Sequence, residues 1–123
     1  MTSRHLLAAL ALALAAALAL AQPLDGRLKK IKESKTITLA HRTDAAPFSF
    51  VSDRKEPIGY SVDLCKRVVN AIGEQLGVPD IRIKWVAVTT ANRFDAVSKG
   101  EADMECGSSS VTLGRMKQVD FSS

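Results

Sequence analysis

The stretch IRIKWVAVTTANRFDAVSKGEADMECG, residues 81–107, decides the architecture. Ile81, Ile83 and Trp85 alternate with Arg82 and Lys84, the period-two pattern of a strand. Thr89 or Thr90 is suited to cap a helix, which runs to about Lys99 and is closed by Gly100. Residues 103–106 follow that helix directly and read as a further short strand. Strand, helix and strand with short joins form the repeating unit of a parallel sheet.

The flanks extend the same alternation. Upstream, Thr36 to Arg42 is rich in β-branched residues and reads as a strand, ended by Asp44-Ala-Ala-Pro47. Phe48 to Val51, a polar tip and Pro57-Ile58-Gly59 read as a small hairpin. Val62 to Leu76 is the strongest helix: Cys65, Val68, Val69, Ile72 and Leu76 fall on one apolar stripe. Ser61 or Asp63 serves its start, and Gly77 followed by Pro79 stops it. Leu28 to Ser34 reads as a short amphipathic helix or turn. Downstream, Gly107 to Ser110 is a polar turn, and Thr112 to Val119 a short helix. The expected fold class is α/β, an open, mostly parallel sheet flanked by helices on both faces.

The chain has 123 residues, 46% of them hydrophobic and 24% charged, so it is not a disordered tail. This average hides a division, because residues 6–21 hold only Leu and Ala. Arg4 and His5 precede that run, and Ala19-Leu20-Ala21 places small residues where signal peptidase reads. Residues 1–21 are therefore expected to be a signal peptide cleaved before Gln22. The alternative is a retained anchor, but the run is shorter than the ~20 residues that span a bilayer. The net charge is +4 and its excess is scattered. Nucleic-acid binding, which wants a dense basic stripe, is not expected.

Cys65 and Cys106 are the only cysteines. After export an even count suggests a disulfide, though spacing alone leaves two buried free thiols open. Two cysteines far from His5 and His41 make no zinc site. There is no P-loop, no metal box and no Ser/His/Asp arrangement. The acidic residues Asp63, Asp95, Glu101, Asp103 and Glu105 read as helix-surface or strand-end positions, none paired for acid–base work. His41 reads as structural.

In open parallel sheets ligands bind beyond the carboxyl ends of the strands. That rule selects His41-Arg42-Thr43, Thr89 to Arg93 and Gly107 to Ser110, with Arg115 a helical turn further on. A guanidinium offers paired donors matched to a carboxylate, and the Gly107–Thr112 turn entering a helix offers free N–H groups. Three arginines near one rim suggest two acidic groups on one small molecule. The bland alternative is that these arginines are solvated surface residues and the serines merely form a turn.

The segments Ile37-Thr-Leu-Ala-His-Arg42, Pro47-Phe-Ser-Phe50, Gly59-Tyr-Ser-Val-Asp-Leu-Cys65 and Val88-Thr-Thr-Ala-Asn-Arg93 resemble the periplasmic amino-acid-binding proteins of ABC transporters, the family-3 solute-binding proteins. Gly100 to Ser108 and Thr112 to Ser122 extend the resemblance, which spans about residues 26–123. The His-Arg, Ala-Asn-Arg and paired-cysteine features make it closest to the glutamate/aspartate-binding members.

The resemblance implies a periplasmic-binding-protein-like fold of type II and a role as the binding component of an amino-acid importer. It implies that Arg115 pairs with the ligand α-carboxylate, and that Ser108 and Ser110 hold the α-carboxylate and α-amino groups. It implies too that Arg42 and Arg93 receive the side-chain carboxylate, with the Thr90 hydroxyl, standing where a Ser is common, assisting. Cys65 and Cys106 match a disulfide of this branch. The implied partners are glutamate or aspartate and a permease in the cytoplasmic membrane, with the protein a monomer in the periplasm. No cofactor, metal or catalytic residue is implied. Residues 22–123 correspond to the N-terminal part of the first lobe, without the second. Other readings are a receptor ectodomain, or a dehydratase-like enzyme on the same fold.

Overall fold

The computed structural model describes Leu24 and residues 26–122. The signal-peptide reading of residues 1–21 lies outside the described residues. Helix α1 spans Gly26–Ser34 and leads into β1, Thr36–His41. A small antiparallel sheet follows, made of β2 (Asp44–Ala45), β3 (Ser49–Val51) and β4 (Pro57–Ile58). Then come α2 (Tyr60–Leu76), β5 (Arg82–Ala87), α3 (Arg93–Ser98), β6 (Met104–Cys106) and α4 (Leu113–Met116).

The main sheet has the order β5-β1-β6, and both pairings are parallel. His41 pairs with Ala87 on one side and with Cys106 on the other, so the three strands end level. That register puts the segments after β1, β5 and β6 at a single edge. Thus α/β class and parallel sheet are as the sequence predicts.

Alternation along β1 feeds two cores. Ile37 and Leu39, both fully buried, join Ile31, Cys65, Val69, Leu76, Val78 and Cys106 on the face covered by α1 and α2. Full burial of such a side chain contributes about 1.5–3 kcal/mol. Ala40 points to the opposite face and packs with Val88, Ala96 and Ala102. These small residues let α3 lie close to the sheet. The Cys65–Cys106 disulfide ties α2 to β6 across Cα atoms 6.1 Å apart.

Arg27 fastens α1 across the molecule. Its Nη1 donates to the Ala102 carbonyl at 2.7 Å and lies 3.5 Å from Asp103 Oδ1, while Nη2 donates to the Val97 carbonyl. Asp103 Oδ2 in turn accepts the Thr38 N–H at 2.8 Å.

Helix α2 departs from the sequence reading at two points. Neither Ser61 nor Asp63 caps it. Its first residue follows Gly59, at φ 125°. A Cβ there would lie 2.4 Å from the Phe48 carbonyl oxygen, so the approach requires glycine. The carbonyls of Pro47 and Phe48 take the free N–H groups of Tyr60 and Ser61 at 3.0 and 2.9 Å. The apolar stripe is also narrower than expected, because Val68 is 43% exposed. Gly77 ends the helix in the left-handed conformation, as expected.

Helix α3 is shorter than the expected segment. Thr89 and Asn92 close a turn first: the Thr89 N–H donates to Asn92 Oδ1 at 2.7 Å and the Asn92 N–H to Thr89 Oγ1 at 3.3 Å. Regular helix then begins only at Arg93. Helix α4 is likewise a single turn, capped by Thr112 Oγ1, which accepts the Arg115 N–H at 3.3 Å.

Candidate functional site

Arg42 immediately follows β1. Its N–H donates to Ser49 Oγ at 2.9 Å, which ties the end of the parallel sheet to the small antiparallel one. The guanidinium is bound from two nitrogens: Nε donates to Asp44 Oδ1 at 3.1 Å and Nη2 to the same oxygen at 2.8 Å. The Arg42 side chain is 12% exposed and that of Asp44 70%, so the carboxylate covers the group from the solvent side. His41, the last residue of β1, is buried, its Nδ1 3.1 Å from the Arg42 carbonyl oxygen and its ring edge-on to Trp85 with centroids 5.8 Å apart.

Arg93 opens α3 and is only 7% exposed. Nη1 donates to the Thr90 carbonyl at 3.0 Å, while Nε is buried without a partner among the described residues. Thr90 thus meets Arg93 through its backbone, and its side chain stands exposed in the turn. A buried, partly unsatisfied guanidinium has spare donor capacity for an anion.

The turn after β6 presents Ser108 and Ser110, both exposed. It is held from two sides. The Ser61 hydroxyl, which caps nothing, donates to the Gly107 carbonyl at 2.8 Å. Arg115 Nη1 donates to the Ser110 carbonyl at 2.7 Å.

Phe94 joins the arginines. The Arg93 guanidinium carbon lies 4.7 Å from the centre of its ring, and that of Arg115 5.1 Å. The ring attracts both cations, so groups 22 positions apart in sequence meet at one aromatic side chain. Phe121 packs edge-on against Phe94 at 6.2 Å. Sequence reasoning missed Phe94, although its position next to Arg93 at a strand-to-helix edge was the available signal.

Glu105 is the second omission. It pairs across the sheet with Ala40 and faces away from the disulfide cluster. Burial pushes its carboxyl above the usual value, against the opposing pull of the Ser109 hydrogen bond and the positive charges of Arg93 and Arg42. Its Oε1 is buried and lacks a partner among the described residues. The readable signal was an acidic residue between Met104 and Cys106, whose side chains take the other face.

The candidate site therefore combines three arginines, a serine turn and a half-buried acid at the carboxyl edge of a parallel sheet. The fold is α/β of the periplasmic-binding-protein type, with the candidate site at the carboxyl edge of its sheet. A profile of the bacterial extracellular solute-binding proteins, family 3, matches residues 37–123, and the chain belongs to that family. It is 46% identical over 103 residues to an L-glutamate/L-aspartate-binding protein of Pseudomonas aeruginosa, covering 83% of this chain and 34% of that protein. It is 38% identical over 119 residues to a glutamate/aspartate import solute-binding protein of Escherichia coli, covering 94% and 39%. The chain thus spans little more than a third of these relatives. Among solved structures, an ancestral cyclohexadienyl dehydratase superposes with a TM-score of 0.71 at 24% identity, over 83% of this chain and 39% of that one. That likeness is one of fold.

Proposed function

We propose that this chain is the N-terminal part of the first lobe of an extracytoplasmic binding protein that captures L-glutamate or L-aspartate and delivers it to an ABC permease. The observation that carries this reading is the buried Arg93, with its free Nε, sharing the Phe94 ring with Arg115. Two guanidiniums held near each other suit a ligand with a carboxylate at each end. Arg115, with Ser108 and Ser110, takes the α-carboxylate and α-amino group. Arg93, Arg42 and the Thr90 hydroxyl take the side-chain carboxylate.

The names of the two glutamate/aspartate-binding relatives support the ligand class. Residues 1–21 act as a signal peptide, and the protein works in the periplasm as a monomer that binds no nucleic acid. Residues 22–123 form part of lobe one, and a second lobe closes over the ligand. The edge of β6 not paired to β1 supports this, because it is flanked by the exposed Leu64 and Val68 and by Phe94 and Phe121. Such an edge is suited to further chain.

Binding without turnover is the expected behaviour. Calorimetric titration of the complete gene product with L-glutamate, L-aspartate and neutral amino acids tests it. Micromolar or tighter binding confined to the two acidic amino acids is expected. Equal affinity for neutral ones, or consumption of the ligand, would overturn the reading.

A further inference from the structure

Among the described residues, Glu105 is the half-buried acid at this rim to which the proposed function gives no role. Its carboxylate folds back beneath the serine turn: Oε1 lies 2.0 Å from the point where a Cβ on Gly107 would stand. The same oxygen is buried without a partner among the described residues, as is Arg93 Nε. Ser109 and the charges of Arg93 and Arg42 act on the carboxylate. Glu105 therefore sits between the turn assigned to the α-carboxylate and the arginines assigned to the distal one.

Charge bookkeeping gives this position a consequence. Arg42, Arg93 and Arg115 supply three positive charges at the rim. Asp44, bound to Arg42, supplies one negative charge, and Glu105 a second when ionised. Among these rim groups the balance is positive, and Glu105 lowers it beneath the turn, where an acidic amino acid brings two carboxylates and one ammonium. A dicarboxylate of the same length without the ammonium brings one negative charge more. Inside a partly desolvated site a mismatch of one charge acts over several ångströms.

We propose that Glu105 is a specificity-determining residue that makes the site select an acidic amino acid over the corresponding deaminated dicarboxylate. This rests on the ligand class proposed above and extends it. The carboxylate need not touch the ligand, because its field lowers the excess positive charge that an additional anionic group would exploit. Gly107 lacks a side chain so that the acid can lie beneath the turn.

The test is calorimetric titration of the complete gene product with L-glutamate and with glutarate. Wild type should bind L-glutamate and strongly disfavour glutarate. Glu105→Gln should raise the affinity for glutarate relative to L-glutamate by about tenfold, and Glu105→Asp should leave that ratio near the wild-type value. Glu105→Met, similar in length and needing no hydrogen-bond partner, is the second neutral variant should the amide fail to fold, with the same shift expected. An unchanged ratio in the neutral variants, with both affinities lowered alike, would make Glu105 a scaffold residue and overturn the proposal. Wild-type protein that binds neither compound would instead sink the ligand class and this inference with it.

Discussion

Glu105 and Gly107 occupy one another's space: a Cβ on Gly107 would stand 2.0 Å from Glu105 Oε1 and 2.9 Å from its carboxyl carbon. The missing side chain is the room in which the acid lies. Gly107→Ala must therefore push the carboxylate aside or lift a turn whose carbonyl is held by Ser61. Because the atoms in the way are the far end of a flexible side chain, a loss of about 1 kcal/mol, the low end for overpacking, is expected in denaturant unfolding. Glu105→Ala should recover most of that loss in the double variant, giving a marked departure from additivity. Additive losses would show that the two residues do not compete for the same space.

Glu105 also sets a pH dependence. Burial raises its folded pKa above the ordinary 4.5, so the folded chain holds that proton more tightly than the unfolded one. Its protonation favours the fold. That contribution is complete below the ordinary value and is lost as pH rises through the folded pKa. Glu105→Gln, neutral throughout, should be more stable than wild type at neutral pH. The advantage should vanish below the ordinary carboxyl value. Thermal melts of the ligand-free proteins across that range read it directly, and a difference that grows toward acid would contradict the assignment.

The Cys65–Cys106 bridge spans a sequence separation of 41 and links α2, the longest of the described helices, to the strand that carries the serine turn. Replacing both cysteines by serine should cost about 2–4 kcal/mol. Dithiothreitol should lower the wild-type melting temperature comparably and leave the double-serine variant unaffected. A wild-type protein insensitive to reductant would show that the bridge does not form.

Much of the fold was legible because its signals are local or periodic. The alternation Ile81-Arg-Ile-Lys-Trp85, the helix stop at Gly77 and the β-branched run from Thr36 each report a short-range preference. The start of α2 was not legible, since its first N–H groups go to carbonyls of Pro47 and Phe48 rather than to a side chain of its own. Ser61, which looks like a cap, serves Gly107 instead. Such long-range exchange leaves no mark in a local window.

The site divides in the same way. The rule of the carboxyl edge picked out Arg42, Arg93 and the serine turn, because register depends on where strands end. It could not pick out Asp44 as the partner of Arg42, Phe94 as the ring between Arg93 and Arg115, or Glu105 beneath the turn. Those relations depend on how side chains pack once the edge has formed.

The central claim is that separate arginines read the two ends of one diacid. Titrating wild type, Arg93→Ala and Arg115→Ala with L-glutamate and L-glutamine tests it most directly. Loss of a charge-assisted contact costs about 1.5–3 kcal/mol. Arg93→Ala should therefore weaken L-glutamate by roughly tenfold to a hundredfold and barely alter L-glutamine. Arg115→Ala should weaken both ligands by similar factors. Equal losses for both ligands in the Arg93 variant would contradict the account.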